Sequence, residues 1–432
     1  MNKAISIELR LKRWILSILC IVFVAFVGGA SGHAQSMLLK KDKIDKIQTL
    51  LEVGALDGWL LADKGGQNST ALHTVSPVGT MSRPWFFLIP VEGAPLLLVH
   101  QNDQVAFAHI TTVKWTYNND SDLPRLVAGM LKGKKSVAME YAPKSGIPKL
   151  TQIDEALADL VREAGVSITS SANLVQHIKS VWGPEGKISH HVATHHIKKS
   201  FEEATLYLID ALKNKTPISE WMVHEYIKER LLIRGIENTT IVVASGVNTA
   251  NSWHTNTPAQ SRTIGKGDLL IFDVGGKKSG TPQAMFARMS WSLFIGDAVP
   301  PRMARAFDTV VKAREQAIQF VNGRIAKRRG IKGFEVDQKI RQVLKKEGVS
   351  DRFSHSSGHS MDTELRGDGA NLDDYNVRDT RQLVRDTGVA VEPGLYWPND
   401  FGVRSVVGAH FGKRAFNITS PLQTSIQLLV TH

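Results

Sequence analysis

The chain has 432 residues, more than one domain usually contains, and this length predicts two domains. A composition of 42% hydrophobic and 22% charged residues predicts a folded chain, and the single cysteine excludes a disulfide-stabilised scaffold. The formal net charge is +12, but the basic residues are scattered and no aromatic residues interleave with the short basic runs. Nucleic-acid binding is therefore not expected.

The first predicted element is a signal peptide at residues 1–34. A basic stretch at 10–13 precedes a long apolar run, and Gly32 and Ala34 supply the small residues that a signal peptidase reads. We therefore expect export to the periplasm or secretion. An N-terminal membrane anchor is the alternative, because the apolar run approaches the length that spans a bilayer. Cleavage would remove Cys20, the only cysteine, and lower the net charge to about +9.

Residues 35–182 are predicted to form the first domain, in which strand-like runs alternate with helical stretches. Strands are predicted at 58–63, 85–90, 95–100, 136–140 and 166–170, and helices at 43–54 and 152–164. This alternation is typical of an α/β domain with a largely buried sheet. Gly183-Pro184-Glu185-Gly186 is interpreted as the linker to a second domain at 187–432.

The second domain is predicted to be α+β. Helices are expected at 188–214, 301–322 and 334–347, and strands at 268–275, 284–294, 389–396 and 402–411. Asp273 emerges near the end of a short apolar strand bounded by glycines, and packing does not explain a carboxylate there. Arg288 lies in the middle of the next strand.

Five phrases of the sequence, in order, are NSWHTNTP, LLIFDVGG, HSSGH, VEPGLYWP and FGVRS. Together they resemble the pita-bread metallopeptidases of the aminopeptidase P, prolidase and creatinase group. The resemblance extends from about residue 40 to the C-terminus. It implies an α/β N-terminal domain followed by an α+β pita-bread C-terminal domain.

In that family two Asp, one His and two Glu bind a pair of divalent ions that activate water for attack on the bond before proline. The positions carried over are Asp273, His359 and Glu392. The second Asp falls on Arg288 and the final Glu on Val406. We therefore expect no metal cofactor, and a fork from Arg288 to Asp273 or Glu392 in its place. The alternative is one divalent ion, Mn or Zn, on the three remaining ligands.

The resemblance also implies residues on the substrate side. His254 and His355 match two substrate-side histidines, and together with Glu392 they are the catalytic candidates. A third histidine of the family is replaced by Arg366, and Arg404 lies two residues before Val406. We expect these side chains to line one shared pocket.

Three functions are compatible with these residues. The chain is either a pseudo-peptidase that binds a peptide or small-molecule ligand, a creatinase-like metal-free hydrolase of C–N bonds that uses His254, or a residual metal-dependent Xaa-Pro aminopeptidase or dipeptidase. The first is preferred, and whether the chain is an enzyme stays open. A homodimer is expected.

Overall fold

The computed structural model describes residues 41–143 and 146–430. They form two compact units, one comprising 41–138 and 153–168 and the other comprising 139–152 and 169–430. The predicted signal peptide lies outside the described residues. Within the described part of the chain, no helix has the length and apolar character needed to cross a bilayer.

The first unit is built on a six-stranded sheet. Its strands are β1 (Gly58–Asp63), β2 (Trp85–Pro90), β3 (Leu96–His100), β4 (Val113–Tyr117), β5 (Ser136–Met139) and β6 (Ser167–Ser170). Its helices are α1 (Lys41–Val53), α2 (Ser69–Val75), α3 (Leu123–Met130) and α4 (Glu155–Glu163). The strand order is β4-β3-β2-β1-β5-β6, with parallel and antiparallel neighbours. All residues of β1 and β2 are buried, as expected for the centre of an α/β sheet.

The second unit combines long helices with three sheets. Its helices are α5 (Ala172–Lys179), α6 (Pro184–Lys213), α7 (Glu220–Ile233), α8 (Pro301–Ala326) and α9 (Gly333–Lys346). Its strands are β7 (Ile236–Ser245), β8 (Leu269–Lys278), β9 (Ala287–Ile295), β10 (Gly358–Met361), β11 (Thr387–Val391), β12 (Gly394–Tyr396), β13 (Gly402–Arg404), β14 (Val407–Phe411), β15 (Phe416–Ile418) and β16 (Gln427–Leu429). The sheet orders are β16-β9-β8-β7, β10-β11-β14-β15 and β12-β13. The predicted α+β class is confirmed.

Two large hydrophobic cores and one smaller cluster lie in this unit. Helices α6 and α7 pack on the β7–β9 sheet around residues such as Phe201 and Phe272. Helices α8 and α9 pack on the β11–β14 sheet around residues such as Phe307 and Leu344. Each helix buries an apolar stripe against a sheet, which leaves the opposite faces of the two sheets free to carry polar side chains.

The predicted linker at 183–186 is wrong. Pro184 opens helix α6, where a proline is favoured because its missing N–H would have no helical partner. Gly186 is buried in the first turn, and a Cβ atom there would lie 2.9 Å from Cγ of Met285. Its glycine is therefore explained by close packing of the helix rather than by chain flexibility.

The two predicted strands at 389–396 and 402–411 are each divided in two. The first is interrupted at Glu392 and Pro393, because proline has no N–H to donate to a neighbouring strand. The second is interrupted at Ser405 and Val406. The Ser405 N–H donates to the Pro393 carbonyl at 3.0 Å, so the two breaks lie against each other. Both breaks carry predicted site residues.

Candidate active-site pocket

Strands β8 and β9 bring Asp273 and Arg288 to one face of a sheet. In the antiparallel register Asp273 lies opposite Ser290, and Arg288 lies opposite Gly275. Residues two positions apart on one strand share a face, so Asp273 and Arg288 are diagonal neighbours. An arginine side chain is long enough to cover that diagonal.

The predicted fork between these two side chains is present. Nε of Arg288 donates to Oδ1 of Asp273 at 3.0 Å, and its Nη2 donates to Oδ2 at 3.0 Å. This is the bidentate pairing for which guanidinium and carboxylate geometries match. Asp273 is only 2% exposed. A second arginine, Arg404 on β13, donates from Nη1 to Oδ2 of Asp273 at 3.1 Å.

Arg288 also contacts the other two predicted metal ligands. Its Nη1 donates to Oε2 of Glu392 at 2.7 Å and lies 2.9 Å from Nε2 of His359. Nδ1 of His359 lies 3.0 Å from the Ser360 carbonyl, which can only accept, so Nδ1 carries the proton and Nε2 accepts from Arg288. One guanidinium therefore binds Asp273, His359 and Glu392 together.

The charges of this group stabilise one another. Burial by itself raises the pKa of Asp273, but Arg288 and Arg404 outweigh it and hold the pKa below its usual value. Burial likewise raises the pKa of Glu392, and the Arg288 guanidinium more than reverses the effect. Burial lowers the pKa of His359 to about 4, so its ring is neutral, which matches its role as an acceptor.

Val406 is an apolar residue at the remaining predicted ligand position. It is 2% exposed and packs in a cluster with Trp182, Phe286 and Met361. Its N–H donates to Oγ of Ser290 at 2.8 Å, and its carbonyl accepts from the Ser290 N–H at 3.1 Å. These bonds fix the break between β13 and β14 against the centre of β9.

These residues border a cavity of about 280 Å³. Its walls include all the predicted site residues except His359: His254, Asp273, Arg288, His355, Arg366, Glu392, Arg404 and Val406. His359 borders a second cavity, also of about 280 Å³, which shares Arg366 with the first. In residues 41–143 and 146–430, no three His, Cys, Asp or Glu side chains are grouped as they would be around a metal ion.

Two residues that lie beside predicted histidines were missed in the sequence: Tyr396, which borders the cavity, and Glu220, which is not among the residues that line it. Tyr396 lies 2.9 Å from Nε2 of His355, whose Nδ1 is 2.8 Å from the Ser356 carbonyl, so the tyrosine hydroxyl is the donor. Glu220 is fully buried at the start of α7, with Oε2 3.6 Å from Nε2 of His254. Burial raises the pKa of Glu220, but the nearby His254 ring and the hydrogen bonds from Arg262, Asn248 and Ser245 lower it overall.

The sequence around this pocket matches a known protein family. The sequence profile of metallopeptidase family M24 matches residues 193–408, which is half of the chain. The chain belongs to family M24. The matched range contains every residue of the pocket discussed above.

Relatives and solved structures agree with this assignment. A methionine aminopeptidase of Methanothermobacter thermautotrophicus is 25% identical over 182 residues, 42% of this chain and 56% of that protein. The chain spans between 38% and 56% of the length of eight curated relatives that it matches. The crystal structure of dipeptidase PepE from Mycobacterium ulcerans has a TM-score of 0.67, with 18% identity, and covers 90% of this chain and 97% of that one.

A similar fold is found in a subunit of the FACT complex. The N-terminal domain of the FACT complex subunit SPT16 from Cicer arietinum has a TM-score of 0.61 and 12% identity. The match covers 88% of this chain and 95% of that one. The pita-bread fold predicted from the sequence is confirmed by these structures, whereas the fold alone does not decide the function.

Proposed function

We propose that this chain is an exported M24 homologue that binds a peptide or small-molecule ligand in its pocket without a pair of divalent ions. The observation that carries the proposal is the contact of Arg288 with Asp273, His359 and Glu392 at once. The three side chains that would bind metal are arranged around a cation that belongs to the protein itself.

This donor set does not fit a pair of divalent ions. Two such ions, about 3.5–4 Å apart, require bridging anions between them. Here the two bridging positions hold Arg288 and Val406. A guanidinium about 4 Å from a divalent ion is repelled by roughly 8 kcal/mol at an effective dielectric constant near 20. Arginine cannot deprotonate to relieve this repulsion.

A metal-free C–N hydrolase is the second candidate, and one observation favours it. His254 lines the cavity, and the buried Glu220 lies 3.6 Å from its Nε2. A carboxylate beside an imidazole orients the ring, which suits a general acid/base. In this alternative Glu392 orients an amide or guanidinium-like substrate.

Two assays separate these functions. The purified chain, treated with chelator, is incubated with Gly-Pro and with creatine, and then again with added Mn²⁺ or Zn²⁺. We expect no hydrolysis under any of these conditions. Metal-dependent cleavage of Gly-Pro would contradict the proposal, and metal-independent cleavage of creatine that is lost in His254→Asn would establish the second candidate.

A gain-of-function variant provides the matched test. Arg288→Asp with Val406→Glu restores both bridging carboxylates and should bind divalent ions, measured by calorimetric titration with Mn²⁺. Arg288→Asp or Val406→Glu alone should bind much more weakly, because a pair of ions needs both bridges. Equal metal binding by the unaltered chain and the double variant would contradict the role given to Arg288.

A further inference from the structure

Exposed basic residues gather on the second unit where three segments of the chain meet. The segments are the turn from α8 to α9 at 327–332, the stretch before β11 at 382–385 and the β14–β15 turn at 412–415. They carry a basic patch of seven exposed side chains: Lys327, Arg328, Arg329, Lys332, Arg385, Lys413 and Arg414. The fold thus collects on one surface basic residues that are dispersed along the sequence.

Backbone contacts hold the three segments of the basic patch together. The Leu383 N–H donates to the Ile331 carbonyl at 2.8 Å, which joins the first segment to the second. Nη1 of Arg385 donates to the Lys413 carbonyl, which joins the second segment to the third. The patch is therefore one continuous surface rather than three separate turns.

Arg328 occupies a backbone position that usually belongs to glycine. It follows the end of α8 with a φ of 53°, in the left-handed region. Its N–H donates to the Ile325 carbonyl at 2.9 Å, and the Arg329 N–H donates to the Arg324 carbonyl at 2.9 Å, which are the two bonds of a Schellman motif. A residue with a Cβ atom is disfavoured at this position. The end of the helix therefore does not explain the arginine.

Lys332 is the second basic residue in an unfavourable position. It is the N-cap of α9, where Ser, Thr, Asp and Asn are preferred and where the helix dipole disfavours a positive charge. The dipole does favour basic residues at the end of α8. It does not account for Lys332 or for the three basic residues of the second and third segments.

Nearby acidic side chains do not neutralise the basic patch. Glu335 is paired with Arg324 at 2.9 Å, and Asp386 is paired with Lys187 at 2.5 Å. Within residues 41–143 and 146–430, no acidic side chain forms an ion pair with any of the seven. The patch thus presents uncompensated positive charge to solvent, at positions that local structure does not require to be basic.

We propose that the basic patch binds the surface of a bilayer that contains anionic phospholipids. Clusters of four to eight Lys and Arg residues are attracted to such surfaces. Ile331 and Leu383 within the patch are buried, so the patch offers charge rather than apolar side chains, and binding is peripheral and reversible.

A bilayer fits this surface better than nucleic acid does. No aromatic residue, on which a base could stack, interleaves with the basic residues of the three segments. Export would also place the chain beside a membrane, and in this respect the inference rests on the proposed function.

Co-sedimentation with vesicles tests the proposal on the mature chain, without the predicted signal peptide. Phosphatidylcholine vesicles with about 30% phosphatidylglycerol are compared with phosphatidylcholine alone. We expect binding only to the anionic vesicles and only at low salt, because the screening length falls from about 10 Å at 0.1 M to about 3 Å at 1 M salt. Equal binding to both kinds of vesicle, or none to the anionic vesicles at 0.1 M salt, would overturn the proposal.

A triple variant assigns the binding to the basic patch. It removes three exposed charges from two of the segments: Lys332→Gln, Lys413→Gln and Arg414→Gln. Each basic residue near an anionic surface strengthens binding by about fivefold, so the triple variant should bind the anionic vesicles at least tenfold more weakly.

The matched control removes the same charge from three exposed lysines outside the patch: Lys64→Gln, Lys132→Gln and Lys213→Gln. Its affinity for the anionic vesicles should fall by less than twofold. Equal losses in the two triple variants would show that net charge, and not the patch, attracts the bilayer.

Arg328→Gly separates binding from stability. Glycine suits the left-handed conformation, so the unfolding temperature should not fall, whereas vesicle binding should weaken about fivefold. A lower unfolding temperature with unchanged vesicle binding would mean that the arginine serves the fold, and would contradict the inference.

Two further measurements distinguish this inference from its alternatives. Binding to a DNA duplex at a salt concentration that releases the chain from the vesicles would overturn the choice of partner. Two bound metal ions per chain would refute the metal-free pocket without changing the vesicle result, and a failure to bind vesicles would leave the pocket proposal intact.

Discussion

Arg288 is the only described side chain that forms ion pairs with both Asp273 and Glu392. The two carboxylates are almost completely buried. Without the Arg288 guanidinium they would repel each other. In family M24 this position is expected to be an anion that helps to hold metal. Arg288 gives the surrounding carboxylates a neutralising partner that belongs to the protein itself.

Replacing Arg288 by alanine should destabilise the second unit. Removing one member of a buried charge network typically costs about 3–5 kcal/mol, because the remaining charges stay desolvated. The loss should be greater at pH 7 than near pH 4, since protonation of the carboxylates relieves their repulsion. Thermal unfolding of the variant and the unaltered chain at both pH values measures this loss of stability.

The matched control for this change is Asp273→Asn combined with Arg288→Met. The double variant removes one charge of each sign and should be clearly less destabilised than Arg288→Ala. An alanine variant as stable as the unaltered chain at neutral pH would show that the guanidinium does not neutralise these carboxylates.

A second prediction concerns His190 on α6. Its Nδ1 donates to the Phe286 carbonyl and its Nε2 accepts from the Thr419 hydroxyl, both at 2.7 Å. Burial lowers its pKa to about 4. A lowered histidine pKa contributes stability that is complete above the unfolded value near 6.5 and is lost as pH falls towards 4.

His190→Gln should therefore flatten the fall of unfolding free energy between about pH 6.5 and 4, by an amount of the order of 3 kcal/mol. Unfolding monitored by circular dichroism over this range measures the slope. The exposed neighbour His191 provides the control, His191→Gln, which should leave the slope unchanged. If the unfolding free energy of His190→Gln falls with pH as steeply as that of the unaltered chain, the prediction is wrong.

At the scale of elements, strand β11 delivers Glu392 and depends on a glycine. A Cβ atom at Gly388 would lie 1.7 Å from Cζ2 of Trp182, whose indole is buried. Gly388→Ala should destabilise the second unit by about 1–3 kcal/mol, the usual effect of overpacking. Gly323→Ala is the control, because that exposed helical position is open and alanine should stabilise it by about 0.5–1 kcal/mol. A thermal unfolding temperature that is unchanged in Gly388→Ala would contradict the packing described.

Strands with strong apolar patterns were predicted well from the sequence. The five predicted strands of the first unit are all present within two residues of their expected ends. The strand that was missed, β4, lies at the sheet edge, and its first residue, Val113, is 54% exposed. An edge strand is buried on fewer sides, so its sequence carries a weaker apolar signal.

The sequence predicted those residues of the candidate site that lie in local sequence patterns, and it missed those that are brought in by contacts between distant segments. Asp273, Arg288 and Glu392 could be placed because each belongs to a recognisable strand or motif. Glu220 and Tyr396 contact His254 and His355 across 34 and 41 positions of sequence, and no local pattern encodes such contacts. The break at Ser405 and Val406 was also missed, because Val403, Val406 and Val407 in and around it are typical of one strand.

For the whole molecule, the proposed export predicts a processed N-terminus. Mass spectrometry of the chain purified from its native host should find an N-terminus at or near Gln35, since Gly32 and Ala34 supply the small residues before the cleavage point. An intact chain recovered from the membrane fraction would contradict cleavage and favour the anchor alternative.

The central claim is that Arg288 and Val406 exclude the pair of divalent ions expected for family M24. Metal analysis of the mature chain, purified without chelators, tests this most directly. The account predicts no stoichiometric Mn, Zn, Co or Fe in the protein. Two equivalents of tightly bound metal per chain would contradict it.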